Sequence, residues 1–178
     1  MLPIETPRLL LRTFQEDDMP TLLAYRNDPE VSRHQHWGTF DEPGLGLFIE
    51  HMAKATPGQP GPGFQFALAL RPAGPHIGDL YLRLLDYDEQ QAEIGYTLAR
   101  AYWGQGYARE AVTQLLRYCF VDLGLHRVIA TADCENSRSI GLLERLGLRR
   151  EGHFRQSIRN GTQWHDEYQY AILGSEWQ

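Results

Sequence analysis

Residues 103–116 read Trp103-Gly-Gln-Gly-Tyr-Ala-Arg-Glu-Ala-Val-Thr-Gln-Leu-Leu116, a glycine-rich turn running straight into an apolar-periodic segment. Gly104 and Gly106 leave a backbone without Cβ where a helix is about to begin, so a ligand can approach the amides closely. The first N–H groups of a helix lack intrahelical partners and lie at the positive end of its dipole. Together these features make a phosphate cradle. The plainer alternative is a turn before a helix and nothing more. Working outward, Ala92–Leu98 reads as a strand entering the loop, and Ala111, Val112, Leu115, Leu116, Cys119, Phe120 and Leu123 mark one helix face that stops near Gly124. Arg127–Ala132 is a β-branched run read as a buried strand, so the stretch predicts a βαβ unit built around the loop.

Two familiar phosphate motifs do not fit. A P-loop needs Lys and then Ser or Thr after its last glycine, whereas Gly106 is followed by Tyr107, Ala108 and Arg109. A dinucleotide fingerprint needs Gly or Ala where Arg109 stands.

The rest of the chain supplies a sheet for that unit. Leu9–Phe14 reads as a first strand, and Glu16-Asp-Asp18 as an acidic start to a helix that Asn27-Asp-Pro29 ends. Leu45, Phe48, Ile49 and Met52 recur at helical spacing within Pro43–Lys54. Thr56–Gly63, rich in Pro and Gly, is an intradomain loop. Phe64–Leu70, Ile77–Leu85 and Ala92–Leu98 are three strands joined by turns and expected to be antiparallel. Asn136 can cap a helix with Ile140, Leu142, Leu143 and Leu146 inward and Gly147 as its stop. Asn160-Gly161 signals a hairpin between strands near residues 151–159 and 162–173. The expected class is α+β, a mixed, mostly antiparallel sheet flanked by helices, in one domain over residues 1–178.

Composition narrows the function. With 178 residues, 42% hydrophobic and 22% charged, the chain suits one soluble domain with a sizeable core. A net charge of −6 argues against nucleic-acid binding and tolerates a cationic substrate. Cys119 and Cys134 form no CxxC unit, which points to reduced thiols in the cytoplasm. The first residues lack a signal-peptide pattern, and no apolar run approaches the ~18 residues that span a bilayer, so no membrane partner is expected. No pair among the seven His shows metal spacing with carboxylates or Cys, so no metal is expected.

Four segments in fixed order make the loop specific: Thr6-Pro-Arg-Leu-Leu-Leu-Arg12, Glu93-Ile-Gly-Tyr96 followed by Trp103–Ala111, Asn136–Gly147 trailed by Glu151-Gly152, and the Asn160-Gly161 turn. This arrangement resembles the GNAT acetyltransferases over nearly the whole chain, and within them the RimJ/RimL branch that acetylates ribosomal-protein N-termini. The resemblance implies acetyl-CoA as co-substrate, a primary-amine acceptor and, commonly, a homodimer. It implies cofactor contacts from the loop Trp103, Gly104, Gln105, Gly106, Tyr107 and Ala108, with Trp103 departing from the usual Gln or Arg. Thr97 and Leu98 fall where the family splays a strand to hold the pantetheine arm, and Asn136 falls beside that arm. Ser139 matches a serine placed at the departing thiolate in RimL-like enzymes.

Two departures follow from the same comparison. Many members carry a tyrosine acid where this chain has Leu143, and some RimL-like members carry a Glu where it has Gln156-Ser-Ile-Arg159. Acyl transfer needs a neutral amine, a polarised carbonyl and an acceptor for the amine proton. Glu93 is then the leading base, against its plainer reading as a cross-strand partner. Ser139 is the leading acid, against a first-turn helix residue. His34, His36 and Trp37 lie on the segment that forms the acceptor pocket in the family, with His36 able to take a proton near neutral pH and Trp37 lining the pocket. The acceptor is expected to be a protein N-terminal α-amine; the alternatives are a small-molecule amine, aminoglycoside-like or polyamine, and a non-catalytic acetyl-CoA-binding module.

Overall fold

The computed structural model describes residues 2–35 and 37–177. Its elements are β1 (Ile4–Glu5), β2 (Leu9–Arg12), α1 (Met19–Arg26), α2 (Pro29–Ser32), α3 (Glu42–Lys54), β3 (Phe64–Leu70), β4 (His76–Leu85), β5 (Asp88–Leu98), α4 (Tyr107–Arg117), β6 (Arg127–Asp133), α5 (Ser137–Arg145), β7 (Arg149–Asn160) and β8 (Gln163–Leu173). The strands form one sheet in the order β1-β2-β3-β4-β5-β6-β8-β7. Every neighbouring pair is antiparallel except β5–β6, which is parallel and joined by α4 as the βαβ reading predicts.

Strand alternation sends side chains to both faces of the sheet. On β3, Phe64, Phe66 and Leu68 pack with Ala111, Val112, Leu115 and Leu116 of α4 and Leu142 and Leu143 of α5. Ala67, between them, joins Leu22, Tyr25, Leu45, Ile49 and Met52 from α1 and α3 on the other face. Two helical layers therefore sandwich the sheet, and the class is α+β as expected.

The β5–β6 junction shapes the site. The two strands pair only at Gln91↔Arg127, Ala92↔Val128 and Glu93↔Ile129. Beyond Glu93, β5 continues to Leu98 against β4 alone, so its other edge has no strand partner. The splay expected at Thr97 and Leu98 is present.

Several boundaries differ from the sequence reading. The helix after the loop gives way to a π turn at Tyr118–Asp122 before Gly124. The hairpin loop is Gly161-Thr162 rather than Asn160-Gly161, because Asn160 stays in the ladder opposite Gln163 and Gly161, at φ 62°, opens the turn. Cys119 and Cys134 are both free thiols, and no helix among the described residues is long and apolar enough to cross a membrane.

Candidate active site

The glycine loop has the conformation its sequence requires. Gly104 and Gly106 adopt φ 74° and 82°, the left-handed region, and Gly106 is the N-cap of α4. A Cβ at Gly104 would meet nothing within 4 Å, and one at Gly106 would meet only Arg8 Nη2 at 3.3 Å. The backbone here faces open space beside a cation, which fits an approaching phosphate.

Glu110, in the first turn of α4, ties this loop to the N-terminal arm. Its Oε1 accepts from Thr6 Oγ1 (2.6 Å) and the Arg8 amide (2.8 Å), and its Oε2 accepts from Arg8 Nε (2.6 Å). Arg8 Nη1 also donates to the Gln105 carbonyl at 3.0 Å. Burial pushes the Glu110 carboxyl upward, but the donors from Thr6 and Arg8 outweigh it and hold the group below the ordinary glutamate range. A lowered folded-state pKa means the ion pair stabilises above the unfolded value and is lost as pH falls through the folded one. Glu110→Gln is therefore expected to lower the melting temperature by about 2–4 °C at neutral pH, the yield of roughly 1 kcal/mol of hydrogen bonding. In thermal melts that difference should narrow as pH falls below the ordinary glutamate range and close once Glu110 is protonated in the folded protein. A variant melting like the wild type at neutral pH would assign the loop's order to other contacts.

A cavity of about 690 Å³ opens in front of the loop. Trp103, Gly104, Gly106, Tyr107 and Ala108 line it with Thr97, Leu98, Asn136 and Ser139, so nearly all the expected cofactor residues converge. Gln105 is the exception: its side chain folds back and donates to the Ala101 carbonyl at 2.8 Å. Trp103 Nε1 donates to the Leu98 carbonyl (2.8 Å), locking the loop to the end of β5, and Arg138 stacks 4.8 Å from the Trp103 ring. Arg33, Arg109, Arg138 and Arg145 also line the cavity, four guanidinium groups suited to an anionic ligand.

A second cavity of about 300 Å³ lies beside it, against β4, β5 and the end of β6. Glu93, Trp37, Tyr81 and Asp133 line it, and it shares His34, Gln35, Tyr96, Thr97, Asn136 and Ser139 with the first. These six residues, from the turn after α2, the splayed end of β5 and the start of α5, mark the junction of the cavities. There Asn136 Oδ1 accepts the Ser139 amide (3.1 Å), capping α5, and Tyr96 Oη lies 2.7 Å from Ser139 Oγ. Glu93 lines the second cavity and also accepts from its cross-strand neighbour Arg83 at 2.9 Å, the strand-partner contact.

The rim of the second cavity is built from buried polar contacts. Trp37 stacks 4.4 Å from the Arg26 guanidinium and donates Nε1 to the Arg26 carbonyl (3.2 Å). Arg26 in turn bonds Asp79 (3.0 Å) and Gln65 (2.9 Å), and Tyr25 Oη also donates to Asp79. His36 lies outside the described residues. The buried Asp133 Oδ2 meets His34 Nδ1 at 3.1 Å and His165 Nδ1 at 3.5 Å, while its Oδ1 accepts the Glu135 amide. Ligand atoms of Asp133, Glu135 and His165 lie within 4.8 Å of one another. Sequence spacing does not show this group, because β6–β8 pairing brings its members together.

A family profile described as the acetyltransferase (GNAT) domain matches residues 8–149. The chain belongs to the GNAT acetyltransferases. This acetyltransferase is 35% identical to the uncharacterized N-acetyltransferase YnaD of Bacillus subtilis, over 98% of both chains. It is 32% identical to the ribosomal protein uS5-alanine N-acetyltransferase of Escherichia coli over 47% of this chain and 43% of that one. It shares its fold with the spermidine N-acetyltransferase of Vibrio cholerae solved with CoA and spermine, at a TM-score of 0.82 and 21% identity over 96% of this chain and 98% of that one. The enzyme is an N-acetyltransferase, and acetyl-CoA is the co-substrate this family membership supports.

Both departures seen in the sequence have a structural counterpart. Leu143 is fully buried against the sheet and brings no polar group to the acetyltransferase site. Among the described residues, none of Arg149–Leu173 lines either cavity. Besides Gln35, Tyr96 is the junction residue that sequence reading singled out for no role. Its signal was the alternation of β5, which sends Tyr96 and Glu93 to opposite faces.

Proposed function

We propose that this acetyltransferase moves the acetyl group of acetyl-CoA to a protein N-terminal α-amine by direct transfer in a ternary complex. The observation that carries the reading is the meeting of two cavities at Tyr96, Thr97, Asn136 and Ser139, one fronted by the glycine cradle and the other by Glu93. Acetyl-CoA supplies the activated acetyl thioester. The amides around Gly104, Gly106, Tyr107 and Ala108 hold the pyrophosphate, with Trp103 and Gln105 fixing the loop by their own hydrogen bonds. Thr97 and Leu98 offer the unpaired edge of β5 to the pantetheine arm, and Asn136 borders it. Glu93 takes the amine proton, directly or through water, and Ser139 faces the sulfur. His36 and Trp37 frame the acceptor. The whole chain acts as one unit in the cytoplasm.

An α-amine suits this chemistry because its ordinary pKa is near 8, against ~10.4 for lysine, so less work is needed to neutralise it. The partial match to an N-terminal alanine acetyltransferase supports the same reading. A polyamine is the second reading, favoured by the carboxylates of Glu30, Glu93, Asp133 and Glu135 around the two cavities. Free-thiol release from acetyl-CoA over a panel of amines separates them. Peptides with free N-termini should accelerate release and their N-blocked forms should not. Turnover confined to polyamines would replace the first reading with the second.

A further inference from the structure

We propose that Tyr96 is a positioning residue for thioester cleavage: its phenol donates to Ser139 Oγ and turns the serine proton toward the sulfur of bound acetyl-CoA. This rests on the ternary-complex reading above. The two hydroxyl oxygens are 2.7 Å apart at the junction of the cavities, one carried by β5 and the other by the first turn of α5. The α5 turn is itself fixed, since Asn136 Oδ1 accepts the Ser139 amide.

A serine hydroxyl has one proton and two lone pairs, and in a helix it readily turns back onto a carbonyl of the preceding turn. A donor at its oxygen occupies one lone pair and leaves the proton to point elsewhere. The reverse arrangement has Ser139 donating to Tyr96 and the phenol donating to the Ser139 carbonyl, a longer contact of 3.3 Å. Charge developing on sulfur selects the first arrangement, because a hydrogen bond to an anion is the stronger one.

The same surroundings keep Tyr96 from acting as an acid. Burial pushes its phenol up to about 12, with the Ser139 hydrogen bond and the Arg145 charge pulling the other way. A thiol ordinarily titrates near 8.5, so a phenol held that high does not surrender its proton to a thiolate. His34 is the other titratable group that shares the junction. Transfer forms a bond from the amine nitrogen to the acetyl carbon, and the carbon–sulfur pair leaves with sulfur. Glu93 takes the proton that frees the amine from its ammonium form, and the proton nitrogen sheds after attack passes to solvent water. Ser139 and Tyr96 both keep their protons and lend them as hydrogen bonds.

The test uses CoA itself, with thiolate absorbance followed as pH is raised. In complex with the wild type the thiol should titrate below that of free CoA, and Tyr96→Phe and Ser139→Ala should each lose most of that shift. Turnover gives a second readout: Tyr96→Phe should lower kcat about tenfold with KM for acetyl-CoA changed less than about twofold. In the Ser139→Ala background it should cost nothing more. CoA that binds but titrates alike in wild type and Tyr96→Phe would overturn the proposal, as would defects that multiply in the double variant. If the wild type does not bind CoA at all, the cofactor reading falls with it.

Discussion

Gly106→Val is expected to abolish acetyl-CoA binding in a protein that still folds. Gly106 sits at φ 82° as the N-cap of α4, a conformation that a β-branched residue adopts only under strain. The strain costs about 1–3 kcal/mol, which a domain with a typical stability of roughly 5–15 kcal/mol survives. Binding has less margin. Two isopropyl methyls at the mouth of the cradle would stand between the phosphate and the first amides of α4, beside Arg8 Nη2. Hydrogen bonds to a charged group are worth about 1.5–3 kcal/mol each, so losing two lowers affinity by roughly 10²–10⁴-fold. Calorimetric titration alongside a thermal melt checks both halves, and Gly106→Ala, with one methyl in the same place, should fall between. A folded Gly106→Val protein that titrates as tightly as the wild type would move the cofactor site away from this loop.

The loop was legible because everything it needs is contiguous: strand, glycines and an apolar helix face follow one another within residues 92–116. α3 was legible because its one buried face imposes a helical period, and β3 and β4 because strands covered on both faces read as short, nearly continuous apolar runs between turns. Alternation is absent from β7, whose residues are mostly exposed, and α2 spans four residues, too few for a helical period to show. The site was legible where the backbone does the work and opaque where side chains meet across the fold. Tyr96 and Ser139 are 43 residues apart, His34 and Asp133 are 99 apart, and Arg8 and Glu110 are 102 apart. Each pair depends on which strands neighbour which, and local pattern carries no trace of that. Glu93 shows the intermediate case, because its place on β5 was readable while its Arg83 partner required the β4–β5 register.

Glu93→Gln should lower kcat/KM by roughly 10²-fold or more at neutral pH, the usual contribution of a positioned general base. The substitution keeps size and an oxygen acceptor for Arg83 Nη2, so the cross-strand contact and the fold should persist. What it removes is the capacity to take a proton. An amine reaches the enzyme mostly as ammonium at neutral pH and cannot attack until that proton has gone. The defect should therefore shrink as pH rises and the free amine arrives already neutral. Acetyl-CoA affinity should change little, because Glu93 lines the second cavity and not the one before the glycine loop. Ser139→Ala provides the contrast: it acts on the departing sulfur, so its loss of turnover should persist at high pH. Profiles of kcat/KM against pH for the two variants and the wild type decide the matter. If Glu93→Gln is impaired equally at all pH values, or not impaired, the amine proton leaves by another route, and Glu93 serves β5 as the strand partner of Arg83.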